Sequence, residues 1–214
     1  MHGTQPPLLY PPYKSTIARA PARPLIRVPP DFSDFGAPVY GYLPVGELDH
    51  DLTRHHEHEP QGQRITVSGR VVDEDGRPVP HALIEIWQTN AGGRYAHAKD
   101  DHPAPLDPNF TGSGRTLTDA DGAYPWRNHP NAWRPAHIHF SLFGTAFISR
   151  LVTQMYFPGD PLLPLDPVLG GVPEEGRPLL VARYDHDVTE PGIALGYHFD
   201  IVLRGRSQTP METR

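Results

Sequence analysis

Trp133-Arg134-Pro135-Ala136-His137-Ile138-His139-Phe140-Ser141-Leu142-Phe143 is the stretch on which the reading of this chain turns. From Ile138 the apolar residues fall at every second position, the period of a strand with one face on a core. His137 and His139 share the other face. Imidazoles at i and i+2 on a strand have Cα atoms about 6.5–7 Å apart, near enough to converge on one ion at about 2.0–2.2 Å. Plain solvation also puts polar pairs on the outward face of a strand, so the pair alone decides nothing. Pro135 marks a strand that begins where a loop ends, and Arg134 adds a fixed positive charge beside the pair.

The surrounding chain narrows the choice. Its 214 residues contain no cysteine, so any metal must be held by nitrogen and oxygen, and a disulfide or a cysteine nucleophile is excluded. A net charge of −6 without a sustained basic run argues against nucleic acid or an anionic membrane as the main partner. With no charged and apolar leader and no apolar run of about 18–20 residues, the chain is expected to be soluble, unexported and cytoplasmic. The 27 prolines and 20 glycines, about a fifth of the sequence, are too many for a helical protein. The expected fold is mainly β: an antiparallel β-sandwich with long loops and an extended N-terminal arm.

Residues 1–60 read as that arm. They carry Pro-Pro pairs at 6–7, 11–12 and 29–30, and scattered Tyr10, Tyr13, Phe32, Phe35, Tyr40 and Tyr42 favour packing on the core and on a partner. The cluster His55-His56-Glu57-His58-Glu59 reads as a solvated loop. Residues 61–214 read as the sandwich. Ile65, Val67 and Val71 alternate with polar residues, 73–78 is a turn, and 82–87 is a second strand. Asn90 to Thr118 is loop-like, 118–122 is another turn, and Ala123 to Asn128 leads toward the histidine strand. Leu151 to Phe157 and Tyr197 to Leu203 supply two more strands, with weak helical character between 174 and 183. No glycine-rich strand-to-helix loop marks a nucleotide site.

Several motifs in one order then resemble a single family, the intradiol ring-cleaving dioxygenases. They are Ile86-Trp87-Gln88-Thr89-Asn90-Ala91-Gly92-Gly93-Arg94-Tyr95, Leu106-Asp107-Pro108-Asn109-Phe110, Tyr124-Pro125-Trp126-Arg127-Asn128, the histidine strand, Gln154-Met155-Tyr156-Phe157 and Phe199-Asp200-Ile201-Val202-Leu203-Arg204-Gly205. The resemblance implies a β-sandwich holding a non-haem Fe(3+) ion between Tyr95, Tyr124, His137 and His139. Phenolate oxygen suits a hard ferric cation, whose charge deprotonates it. It further implies protocatechuate and O2 as substrates and a related α subunit as partner in a hetero-oligomer. Arg134 and Gln154 are the implied catalytic residues, with Tyr13, Trp126 and Tyr156 at the substrate. Relatives acting on catechol or hydroxyquinol carry a helical N-terminal domain, of which the proline-rich arm shows no sign.

One departure bears on a ligand. In the family a strand and a second turn separate the turn at 118–122 from the Tyr-Pro-Trp-Arg motif. Here Gly122 is followed almost at once by Ala123-Tyr124, a shortfall of about ten residues, the length of a strand with its turn. Either the sheet loses a strand while Tyr124 still reaches the iron, or the shortened loop draws Tyr124 away. The second outcome keeps open an alternative reading of the chain as a non-catalytic or impaired scaffold subunit.

Overall fold

The computed structural model describes residues 4–26, 44–128, 134–144 and 150–212. Phe32, Phe35, Tyr40 and Tyr42 of the arm and Trp133 lie outside the described residues, as does the side chain of Trp126.

A short helix, α1 (Ser15–Arg19), precedes the strands β1 (Ile65–Val72), β2 (Leu83–Trp87), β3 (Ser113–Leu117), β4 (Ala123–Asn128), β5 (His137–Phe143) and β6 (Leu151–Tyr156). The helix α2 (Pro167–Gly170) and the strands β7 (Arg183–Tyr184), β8 (Leu195–His198) and β9 (Ile201–Val202) follow. The strands form two sheets: β4-β1-β8-β7 with β9 also on β1, and β3-β2-β5-β6. Val67 and Val71 of the first sheet pack with Ile84, Ile86, Ile138, Phe140 and Leu142 of the second in one buried core, so the mainly β sandwich stands.

Several details differ from the sequence reading. The second sheet is antiparallel throughout, but β1 runs parallel to both β8 and β9, so the first sheet is mixed. The strand expected over Tyr197 to Leu203 is divided: β8 ends at His198, the chain breaks at Phe199–Asp200 and it resumes as β9. The break is set by Gly69 on β1, where a Cβ would overlap the Phe199 carbonyl. The segment expected as loop up to Thr118 ends in β3, whose Ser-Gly-Arg-Thr pattern carried no apolar signal. The helical tendency near 174–183 resolves into α2, upstream, and a 3-10 turn at Arg177–Leu180, because Pro167 and Pro178 each suit a first helical turn but not a long helix.

The largest departure is β4. No strand is lost, because the shortened segment Ala123-Tyr124-Pro125-Trp126-Arg127-Asn128 forms one itself, and Tyr124 is drawn away from the histidines, as in the second expectation. It pairs antiparallel with β1 over six residues, from Arg70↔Ala123 to Ile65↔Asn128.

Candidate metal centre

The site grows from the outer face of β5. The inner face of β5 buries Ile138, Phe140 and Leu142 in the core, which turns His137 and His139 to the other side. They are not solvated there: His137 is 2% and His139 8% exposed. Their rings lie 5.1 Å apart, centroid to centroid. Register sets the neighbours. His139 lies opposite Trp87 on β2 and Gln154 on β6, and His137 lies opposite Tyr156. The Trp87 indole stacks flat on His139 at 4.8 Å, fixing the plane of that ring.

The tautomers follow from the partners. His137 Nδ1 faces the Pro135 carbonyl at 2.8 Å, and a carbonyl only accepts, so Nδ1 carries the hydrogen and Nε2 the lone pair. His139 Nδ1 faces the Glu212 carboxylate at 3.3 Å with the same consequence. Both Nε2 lone pairs therefore point into the site, the arrangement that metal-binding histidines use. The Tyr95 hydroxyl donates to His139 Nε2 at 3.0 Å, and Arg134 Nη1 donates to His137 Nε2 at 3.1 Å. Burial first, then the Arg134 charge, pushes His137 down to about 3, so it is neutral at any ordinary pH.

Tyr95 arrives on a loop organised by Asn90. The Asn90 carboxamide oxygen accepts from the backbone N–H of Gly92 and Arg94, its amide nitrogen donates to the Pro105 carbonyl, and Gly93 takes a φ of +85° that only glycine adopts freely. The Tyr95 N–H donates to Asp100 at 2.6 Å. Burial raises the Tyr95 phenol to about 12, which keeps it a hydrogen-bond donor in the metal-free chain.

Arg134 is held from behind by Asp166, at 2.7 Å, whose side chain is wholly buried. Asp166 also accepts from the Val168 N–H at the start of α2. Burial opposes the Arg134 charge, and Asp166 more than offsets this. Gln154 Oε1 accepts from Arg134 at 3.3 Å and from the Tyr156 hydroxyl at 3.0 Å. Tyr13 comes from the arm: its hydroxyl donates to Glu212 at 3.4 Å, and Tyr13, Gln154, Tyr156 and Glu212 line a narrow cleft of about 20 Å³. A wider, open cavity of about 560 Å³ lies on the other side of the centre, lined by Trp87, Tyr95, His97, Lys99 and His139 among others.

Of the nine expected site residues, seven gather on one sheet-face neighbourhood and two, Tyr124 and Trp126, lie on β4. Tyr95, His137, His139, Arg134, Gln154, Tyr156 and Tyr13 are brought together. Trp126 is placed by its backbone only, opposite Val67. Tyr124 lies apart from the other seven. Its ring lies in the core between the sheets, 6.0 Å from the Phe140 ring, it is 2% exposed, and its hydroxyl donates to the Phe199 carbonyl at 2.5 Å. Two residues of the site, Asp166 and Glu212, were not singled out from the sequence. Asp166 carried a local one, an Asp-Pro helix start, but its pairing with Arg134 is tertiary. Glu212 sits in a C-terminal tail laid beside β6 by its N–H to the Val152 carbonyl, and nothing local marks it.

The donors present fit a hard metal ion. Two atoms each about 2.1 Å from one ion and at right angles lie about 3.0 Å apart, the spacing of Tyr95 Oη and His139 Nε2. Two imidazoles and one phenol make a nitrogen and oxygen set suited to ferric iron. Among the described residues no group of three or more His, Asp or Glu side chains converges on a common point, so such a site depends on the tyrosine.

A family model described as Dioxygenase matches residues 36–205, and one described as Protocatechuate 3,4-dioxygenase beta subunit N terminal matches residues 2–31. The chain belongs to the intradiol ring-cleaving dioxygenase family. It is 57% identical to the protocatechuate 3,4-dioxygenase beta chain of Burkholderia cepacia, over 98% of this chain and 94% of that one. The alpha chain from the same organism is 29% identical over 69% of this chain and 76% of its own length. Among solved structures, the dioxygenase domain of a dioxygenase carbohydrate-binding protein fusion from Streptomyces sp. SirexAA-E is 25% identical with a TM-score of 0.55, covering 78% of this chain and 97% of its own. The 3-chlorocatechol 1,2-dioxygenase of Rhodococcus opacus 1CP shares the fold at a TM-score of 0.58 and 20% identity, covering 77% and 69%. The alignment to the Burkholderia cepacia beta chain also carries a length signal. It spans 221 positions yet draws on 98% of 214 residues, about 210, so 221 less 210 leaves about eleven positions of the relative without a counterpart here.

Proposed function

We propose that this chain is the metal-holding subunit of a two-chain intradiol dioxygenase that cleaves protocatechuate with O2 to 3-carboxy-cis,cis-muconate. The observation that carries the reading is 57% identity over nearly the full length of a beta chain with that activity in its name, joined to a site of matching chemistry. It disfavours the scaffold reading. Tyr95, His137 and His139 would hold a ferric ion, with the two Nε2 atoms that now accept from Tyr95 and Arg134 as its nitrogen donors. When bound there, the ion supplies Lewis acidity that withdraws electrons from a chelated catechol and makes its ring reactive toward dioxygen.

The chain's own groups do the rest. Burial keeps the Tyr95 proton in place, and Tyr95 would give it up to serve as a phenolate ligand to a cation. Arg134, fixed by Asp166 and Gln154, presents a positive charge where negative charge develops on the substrate ring. Trp87 and Glu212 keep His139 from turning. Tyr13, delivered by the arm, and Tyr156 stand at the narrow end of the site. The wide cavity is of a size that admits a small aromatic acid, and Lys99 on its wall offers a cation to a carboxylate.

The arm supports an α-chain partner. Leu8, Leu9, Ile17, Leu25 and Ile26 are exposed apolar residues on one short stretch, the composition of a surface covered in an assembly. Among the described residues no helix is long and apolar enough to cross a membrane, and a cytoplasmic setting agrees with the absence of cysteine. The test is the visible spectrum of the chain coexpressed with its α chain, before and after anaerobic protocatechuate. A red-brown phenolate-to-iron band that moves to longer wavelength with substrate, then oxygen-dependent muconate formation, is the expected result. A colourless, iron-free assembly that forms no muconate overturns the reading.

A further inference from the structure

We propose that the metal centre of this chain contains a single phenolate, Tyr95, and that Tyr124 has become a structural residue of the core because its segment is used as strand β4. The inference rests on the reading that the site holds a ferric ion, and it concerns which residues reach that ion.

The start of β4 has no slack. Gly122 closes the preceding turn at φ +69°, the Asp119 carboxylate accepts from the N–H groups of Asp121 and Ala123, and the Gly122 carbonyl accepts from Val71 N–H. Tyr124 is the second residue after that anchor. A Cβ at Gly122 would come within 2.5 Å of the Val71 carbonyl, so the turn cannot shift across β1. From there six residues pair with β1 in sequence.

Alternation on the strand then sends Tyr124 inward, opposite Gly69, the one position of β1 with room for its hydroxyl; a Cβ on Gly69 would sit 2.9 Å from that oxygen. The hydroxyl donates to the Phe199 carbonyl, exposed where β8 breaks into β9, so the ring closes a gap in the sheet's own hydrogen bonding. Between Tyr124 and the histidines stands the inner face of β5: Phe140 touches the Tyr124 ring, while His137 and His139 point the opposite way. Reaching the metal would require stripping β4 from β1, burying an unpaired Phe199 carbonyl and emptying a core position.

The length signal has the same size as the shortfall that the sequence shows after Gly122. About eleven positions of the Burkholderia cepacia beta chain have no counterpart here, the length of one strand with a turn. A sheet with a vacant place beside β1 and an adjoining segment of alternating Ala-Tyr-Pro-Trp-Arg-Asn pattern is completed by drawing that segment in.

The experiment uses the full chain with its α chain, reconstituted with ferrous salt in air, and reads iron content, the visible band per iron and the melting temperature. Tyr95→Phe is expected to remove the band, with colour falling at least tenfold per iron retained. Tyr124→Phe is expected to leave wavelength and intensity per iron unchanged and to lower the melting temperature. A third variant, with a strand-and-turn insertion after Gly122, frees the Tyr124 segment: its band per iron should rise about twofold, two phenolates in place of one, and become sensitive to Tyr124→Phe. If Tyr124→Phe alone prevents assembly, the insertion variant decides. Colour that survives Tyr95→Phe, or a band in the unaltered chain that Tyr124→Phe shifts or halves, overturns the proposal while leaving the iron-enzyme reading intact. Absence of iron from the folded, unaltered assembly overturns both.

Discussion

Strands β5 and β4 lie on opposite sheets of the sandwich, and both carry residues that the family resemblance assigns to the metal. Their polar side chains meet different fates. On β5 the two imidazoles turn away from the core, and each is fixed through Nδ1, by Pro135 O or by Glu212, so that Nε2 keeps a lone pair directed into a shared space. On β4 the phenol turns into the core and its one hydrogen is used up on a backbone carbonyl. The difference teaches that a functional side chain is marked by what its hydrogen bonds leave over. Burial does not separate the two cases, since His137 and Tyr124 are equally buried at 2%.

The comparison breaks most visibly at His139. His139→Ala removes a proposed ligand, the stacking partner of Trp87 and the acceptor for Tyr95 together. Iron content measured on the purified assembly should fall to a small fraction of the unaltered value, with activity down by about 10²-fold or more. Retention of full iron content would mean that the outer face of β5 is not the metal site.

Asp166→Asn probes the support behind that face. It leaves Arg134 largely buried without its counter-ion and weakens the start of α2, which also uses the Asp166 carboxylate. Breaking such a pair costs about 3–5 kcal/mol, to be read as a shift in the urea midpoint. A loss under about 1 kcal/mol would mean that solvent reaches Arg134 and that the pair behaves as a surface one.

Gly69→Ala probes the β4 side. The added methyl meets the Phe199 carbonyl and the Tyr124 hydroxyl at once, an overpacking worth about 1–3 kcal/mol. The loss should shrink in a Tyr124→Phe background, because one of the two clashing oxygens is gone; simple additivity in a double-mutant cycle would place Tyr124 elsewhere.

Much of this was legible in the sequence where local pattern and tertiary role coincide. Ile138, Phe140 and Leu142 alternate because β5 is half-buried, and that alternation alone sends His137 and His139 to one face. The Gly-Gly-Arg-Tyr turn announces itself through the glycine that must take positive φ. The place of Tyr124 was legible only as one of two outcomes of the shortfall before it. A missing strand is a vacancy in a sheet, and which segment fills it depends on pairing with β1, fifty-odd residues upstream, rather than on anything beside Tyr124. The parallel pairing of β8 and β9 with β1 is non-local in the same way. Glu212 and Asp166 escaped for a simpler reason: a carboxylate in a tail or at a helix start looks the same whether it holds a histidine and an arginine or faces water.

The smallest effect sharpens the comparison through pH. In the metal-free chain burial, reinforced by Arg134, pushes His137 down to about 3, whereas an unfolded histidine titrates near 6.5. Between these values the unfolded chain binds a proton that the folded chain does not, so folding stability falls as pH drops below about 6.5 and is fully retained above it. One such group contributes at most about 1.4 kcal/mol per pH unit. His137→Gln should reduce the slope of stability against pH by up to that amount between about pH 6 and 4, measured by urea unfolding of metal-free protein at each pH. Tyr124→Phe should lower stability by a constant amount over the same range, because burial raises the phenol well above its ordinary value and it stays protonated throughout. A slope unchanged by His137→Gln would mean that His137 is solvated when the metal is absent, and that its burial is a property of the loaded site only.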